Sequence, residues 1–393
     1  MVRALIVEEG ETAAALAGCR ALSRAGWHVG IGSPRPRGLA SSSRFCSKWH
    51  KVPSPSDGYE VFLSAIDAAN EEIPYELVFP SGDAELLALS LGRQLIKPKV
   101  PYPPHETVVR AVDKLTFLNA AADAGIRTPH TVEATEEALS KVNGQAVIKA
   151  RLHSSPGSSS KMLRIEATPV AGRSGAIRRA QQIRHYGAVP LLQEFIDGRL
   201  VVHTAVCDAR GRILVRVQHF ADRIWPPRAG FTCRGRTMPV DRDLDKKIEV
   251  FLGSIGWFGM SQFQFLESSS GELLAIDFNG RFYASLGSAC VAGVNFPAAW
   301  AAVAMERRVS GAPVGRVGVG FQDLEKDIKR AWTERRNGLL LDVLDCFLTS
   351  AGRKDVVWKL DDLRPGFHAL KELLLQFVKK MMVATHLRCK NRI

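Results

Sequence analysis

Short apolar runs alternate with stretches of helical periodicity along the first hundred residues, and this alternation predicts the architecture. Residues 4–8 form a short buried strand, and residues 12–25 carry a helical repeat that stops at Gly26. A second strand is expected over 27–31, followed by a loop where Pro34, Pro36 and Gly38 interrupt any regular period. A helix over 60–70, a strand over 76–80 and a helix over 84–95 complete the set. Strands and helices in this order and spacing make an open, parallel α/β unit. Residues 97–104 (Lys-Pro-Lys-Val-Pro-Tyr-Pro-Pro) read as a linker, because their prolines hold the backbone extended. The pattern then changes. A helix over 107–124 is expected to close at Gly125, and strands follow over 145–150, 188–196, 201–207, 213–220, 261–266 and 273–278. The last two are joined by the turn-forming Glu267-Ser-Ser-Ser-Gly-Glu272.

Composition narrows the function classes. The chain has 393 residues, 46% apolar and 24% charged, which excludes wholesale disorder and allows two or three domains. Seven dispersed cysteines with no Cys-x-x-Cys pair argue against a disulfide framework or zinc knuckle and fit a reducing compartment. The N-terminus lacks the apolar core of a signal peptide, and no stretch reads as membrane-spanning, so a cytoplasmic protein is expected. The 53 basic and 40 acidic groups leave +13. Residues 144–236 hold 16 basic and 5 acidic groups, or +11 of that excess. Such a region suits nucleic acid or a polyanionic small molecule. Aromatic platforms and nucleic-acid reading motifs are absent, so no nucleic acid is expected as partner.

The turn after the first strand is Glu8-Glu9-Gly10-Glu11, not a Gly-x-Gly-x-x-Gly dinucleotide fingerprint, and its acids would repel a pyrophosphate. No Ser-His-Asp or Cys-His unit is evident. Instead five pieces follow one another: Asp113-Lys114 in a helix, Lys149 ending a strand, the Ser/Gly-rich loop 153–160, Gln193-Glu-Phe-Ile-Asp-Gly198, and Asp277-Phe-Asn-Gly-Arg281. Together they resemble the ATP-grasp superfamily over about residues 1–310. The resemblance extends to Val78-Phe-Pro-Ser-Gly-Asp83 and is clearest for the branch of carboxylate–amine ligases and carbamoyl-phosphate synthetase.

The resemblance implies an open parallel α/β domain over 1–104 and an ATP-grasp domain of two α+β subdomains over 105–310 with a lid over 144–198; beyond it a basic, mostly helical extension is expected over 311–393. The resemblance also implies ATP and Mg²⁺, for which Mn²⁺ can substitute. Lys114 and Lys149 would neutralise phosphate oxygens, and Ser158 and Ser159 would fold over them. Gln193, Glu194, Phe195 and Ile196 would receive the adenine, with His203 near the ribose unless it is a core histidine. Asp277 and Asn279, two apart on a strand, point to one face and with Gln264 would hold the metal. The sequence departs from the family's commoner pattern with Gln at 264, Asp at 277 and Gly280 in place of Pro. Arg281, beside Lys149 in the catalytic set, would lean toward the γ-phosphate unless it pairs with a neighbouring acid.

The implied reaction activates a substrate carboxylate as an acyl phosphate and joins it to an amine, releasing ADP and phosphate. Arg216, Arg223 and Arg228 are candidates for holding the carboxylic acid, because guanidinium binds carboxylate in a fork, and Trp225 is a candidate for an apolar wall beside it. A plain exposed basic loop is the competing reading. Alternatives are a catalytically weakened nucleotide-binding scaffold, or a peripheral membrane-associated member in cell-envelope or polysaccharide synthesis. Residues 321–393 carry 15 basic and 10 acidic groups, for +5, and an amphipathic helix is expected over 367–383. It either packs on the body or meets the inner face of a membrane or a protein partner. The sequence does not fix the oligomeric state.

Overall fold

A computed structural model describes residues 2–10, 12–152 and 165–376. Four strands, β1 (Arg3–Val7), β2 (His28–Ser33), β3 (Cys46–Lys51) and β4 (Leu77–Pro80), form a parallel sheet in the order β3-β2-β1-β4. The helix Ala13–Arg24 starts as its sequence directs, with the Thr12 side chain accepting from the Ala15 N–H. Residues 97–104 are extended but not free. Lys99 exchanges backbone hydrogen bonds with Glu76 and Val78 beside β4, and Val100 and Tyr102 are buried.

A second sheet holds β5 (Thr131–Glu133), β6 (Gln145–Ala150), β7 (Thr168–Ala171) and β8 (Pro190–Glu194) in the order β5-β8-β6-β7. The helix Gly172–His185 covers it, burying Ala176, Ala180 and Ile183 against Ile148 and Ala150. The third sheet is the largest: β9 (Arg199–Cys207), β10 (Ile213–Trp225), β11 (Phe231–Met238), β12 (Gly259–Glu267), β13 (Leu273–Asn279), β14 (Gly320–Gln322) and β15 (Lys354–Asp355), ordered β13-β12-β9-β10-β11-β14-β15. The expected α/β and α+β layout is the observed one.

Two differences have clear causes. The single helix expected over 107–124 is broken into His105–Val112 and Lys114–Asp123. Asp113 leaves the helical region at φ −70°, ψ 110°, accepts from the Thr116 N–H, and pairs with Arg151 at 2.7 Å. The extension after 310 is helical in part, but β14 and β15 also continue the large sheet beyond β11.

One apolar core links the parallel sheet to the large one. Phe79 at the end of β4 stacks on Phe282 (5.4 Å, 20° between planes) and meets Trp300 edge-on at 4.8 Å. Under β12 and β13, Phe117, Phe251, Phe263 and Phe278 pack as a cluster with centroids 5.2–6.0 Å apart. These rings give the two strands a rigid floor.

Candidate active site

Between the second sheet and the open face of the large one lies a cavity of about 630 Å³. Strand alternation determines what it sees. Gln145, Val147 and Lys149 of β6 face it, as do Gln262, Gln264 and Leu266 of β12, each set spaced by two. Asp277 and Asn279 of β13 join them, with Lys114 from the first turn of its helix and Arg281 from the loop beyond β13. Antiparallel pairing sets Gln264 opposite Asp277 and Gln262 opposite Asn279. Side chains from four separated segments therefore meet in one crevice.

Lys114 Nζ stands 3.7 Å from Asp277 Oδ1, and Lys149 Nζ donates to the Ile276 carbonyl at 3.0 Å. Burial pulls the Lys149 ammonium down to about 7; Asp277 opposes this and Lys114 reinforces it. Asn279 donates its amide N–H to Gln262 Oε1 at 2.7 Å, which leaves the Asn279 oxygen as the atom available to a cation. Among the described residues no three His, Cys, Asp or Glu side chains form a self-sufficient metal cage. One carboxylate with two amide oxygens fits a hard cation that arrives with phosphate oxygens of its own.

Arg281 differs from expectation in its partner. It lines the cavity, yet its fork is spent on Asp83: Nε to Oδ1 at 2.6 Å and Nη2 to Oδ2 at 3.0 Å, with Nη1 donating to the Phe282 carbonyl. Burial lowers its proton affinity, but the Asp83 carboxylate more than offsets this and holds its pKa up. Gly280 has a packing reason. A Cβ there would lie 2.1 Å from the Trp257 indole, so no larger residue fits without moving a buried ring.

At the other end of the cavity, Phe195 and Ile196 line the wall and Gln193 is buried, bonded through Nε2 to Thr131 Oγ1 at 2.8 Å. The Glu194 side chain points elsewhere: it borders a separate surface groove, and its backbone N–H is taken by the His130 carbonyl. Ser158 and Ser159 lie outside the described residues.

Four further candidates are corrected. His203 is fully buried, with Nε2 2.6 Å from Asp245 Oδ1. It sits three residues after the cavity-lining Leu200 on β9, so the pleat turns it to the opposite face. Arg216 is paired with the same Asp245 at 2.7 Å, a close charge contact poorly aligned as a hydrogen bond. Arg223 pairs with Asp327 at 3.4 Å and Asp345 at 2.6 Å, away from the cavity. Trp225 is half-buried and does not line the cavity; its peptide bond to Pro226 is cis. Arg228 alone of that group faces the cavity, at the tip of the β10–β11 hairpin with φ 74° and no ion-pair partner among the described residues. Gln262 and Asp83 were not singled out from the sequence. Gln262 is two residues before Gln264, so strand spacing alone could have placed it.

No family model and no curated protein matches the chain. Solved structures do. An L-amino acid ligase from Bacillus licheniformis shares 14% identity over 78% of this chain and 74% of its own, with a TM-score of 0.59. Biotin carboxylase from Campylobacter jejuni, in a β-γ-ATP complex, gives 14% over 81% and 74%, with a TM-score of 0.63. N5-carboxyaminoimidazole synthetase from Staphylococcus aureus, complexed with ADP, gives 10% over 81% and 80%, with a TM-score of 0.60. At such identities the likeness speaks for the fold. Sheet order, the site's position between the two later sheets, and these neighbours agree: the chain has the fold of the ATP-grasp superfamily.

Proposed function

We propose that the protein is an ATP-dependent, ADP-forming ligase that activates a substrate carboxylate and joins it to an amine. The observation that carries this reading is the meeting of Lys114, Lys149, Asp277 and Asn279 around one cavity. A carboxylate oxygen attacks the γ-phosphorus, the bond to the β–γ bridging oxygen breaks, and ADP leaves. The amine nitrogen then attacks the acyl carbon, the carbon–oxygen bond to phosphate breaks, and the amine loses its proton. Lys114 and Lys149 bind phosphate oxygens, and Phe195 and Ile196 enclose the base. A Mg²⁺ held by Asp277, Asn279 and Gln264 would offset charge on the transferred phosphoryl group. Arg228 orients the acid at the cavity mouth, and Arg281 acts as a strut from Asp83 more than as a mobile clamp.

The test is ADP release measured against panels of carboxylic acids and amines. Release that needs one acid and one amine together supports the ligase; AMP and pyrophosphate as products would overturn it. The single carboxylate in the cation set favours one other reading, a nucleotide-binding scaffold. That reading is supported if ATP binds and no panel pair gives turnover above the Asp277→Ala background.

A further inference from the structure

The helix Leu339–Ser350 is inside out. Its buried positions are Asp342 and Cys346, and Asp345 beside them reaches Arg223 and Arg234 at 2.6 and 3.0 Å. On the opposite side Leu340, Leu341, Leu344, Phe347 and Leu348 are 49–81% exposed. At 100° per residue these five occupy one arc of about 120°. An ordinary surface helix places its leucines inward and its acids outward.

The exposure continues along the chain. Of the nineteen large apolar side chains that the described residues leave exposed, eleven fall between 340 and 375, including Leu360, Phe367, Leu370 and Leu374. An apolar helix face as exposed as that of Leu339–Ser350 marks something that covers it. Charge selects the occupant. Arg335 and Arg336 are exposed just before the inverted helix, and Lys354 is exposed just after it. Residues 377–393 carry Lys379, Lys380, Arg388, Lys390 and Arg392 and no acid. A net charge of +13 disfavours a second copy as the occupant. An anionic surface with an apolar interior accepts both the leucines and the cations. The helix has 12 residues and is about 18 Å long, so it can lie in a bilayer surface but not cross the bilayer. No helix among the described residues is long and apolar enough to cross a membrane.

We propose that the outward face of the helix Leu339–Ser350 docks the protein on an anionic phospholipid bilayer, with the flanking Arg335, Arg336 and Lys354 reaching the headgroups. This inference does not depend on the ligase reading. The contact also has a route to the site: Asp345 holds the cross-strand pair Arg223 and Arg234, close to the hairpin tip that carries Arg228.

The test is co-sedimentation of the full chain with vesicles of phosphatidylcholine alone and of phosphatidylcholine mixed with phosphatidylglycerol, at low and high salt. Binding is expected to the mixed vesicles only and to weaken with salt. The triple variant Leu340→Gln, Leu344→Gln, Leu348→Gln should lower partitioning at least about tenfold while melting like the parent, since all three side chains are exposed. Replacing Arg335, Arg336 and Lys354 by Gln should lower it about fivefold per charge. Equal binding to both vesicle types, binding to neither, or an unaffected triple variant overturns the proposal. So does a dimer seen by light scattering without lipid that the triple variant abolishes, because the face would then belong to a second copy.

Discussion

Two groups of cations in this molecule look alike in the sequence and differ in the fold. Of the carboxylates that line the cavity, Glu166, Asp197 and Asp277, Asp277 is the one that acts on both Lys114 and Lys149, so positive charge beside it is left over for a ligand. Arg216, Arg223 and Arg234 are each paired with Asp245, Asp327 or Asp345, so almost none is left over. A count of basic residues therefore says little about binding; the number of acids within reach decides it. Asp327 is the extreme case. It is fully buried and gathers Arg223, Arg234, Arg330 and the Gln322 amide.

The contrast can be broken most severely at Asp327. Asp327→Ala removes the fully buried acid that Arg223, Arg234 and Arg330 share and should cost about 3–5 kcal/mol in chemical denaturation. If stability were unchanged, the second group would not be structural. Lys149→Ala should do the reverse: little change in unfolding, since a buried, desolvated cation is removed, but about 10²–10³-fold slower ADP release. A variant that melted early with normal turnover would put Lys149 in the wrong group. Arg228→Ala tests the one arginine of its segment that faces the cavity. Its loss should raise the KM for the acid by about tenfold and leave ATP affinity unchanged, as expected for a charged hydrogen bond worth about 1.5–3 kcal/mol.

The smallest effect concerns an acid with no cation to spare. Glu85 is buried near Arg281, whose charge is already committed to Asp83, and Glu85 Oε2 has no hydrogen-bond partner. Burial, with Glu9 adding to it, pushes its carboxyl up to about 8 from an ordinary 4.5. The folded state thus holds this proton more tightly than the unfolded chain does. The associated stability is complete below about 4.5 and is lost as pH rises through about 8. Glu85→Gln should therefore melt a few degrees higher than the parent at pH 8, with the gap closing toward pH 4.5.

The site was readable where chemistry followed strand spacing. Two-residue alternation alone places Lys149 on the same side of β6 as Val147, and Asp277 beside Asn279. It was unreadable where a partner lies far along the chain. Nothing near Arg223 points to Asp327, 104 residues later, and nothing near Arg281 points to Asp83, 198 residues earlier. The sequence pattern of the parallel sheet shows three of its strands but hides β3, an edge strand whose Ser47 and Lys48 are exposed and break the apolar run. Asp113 illustrates a third limit. Its capping role splits a helix that periodicity alone would draw as continuous.

The fork between Arg281 and Asp83 bears on how this protein can be cut or recombined. A fragment beginning at 105 would retain Lys114, Lys149, Asp277 and Asn279, and on paper would look complete. It would also carry an orphaned guanidinium beside them, because the acid that satisfies it belongs to the segment just after β4. Any chimera that exchanges the first hundred residues must bring a matching carboxylate to that spot, or the seam will bury an unpaired guanidinium.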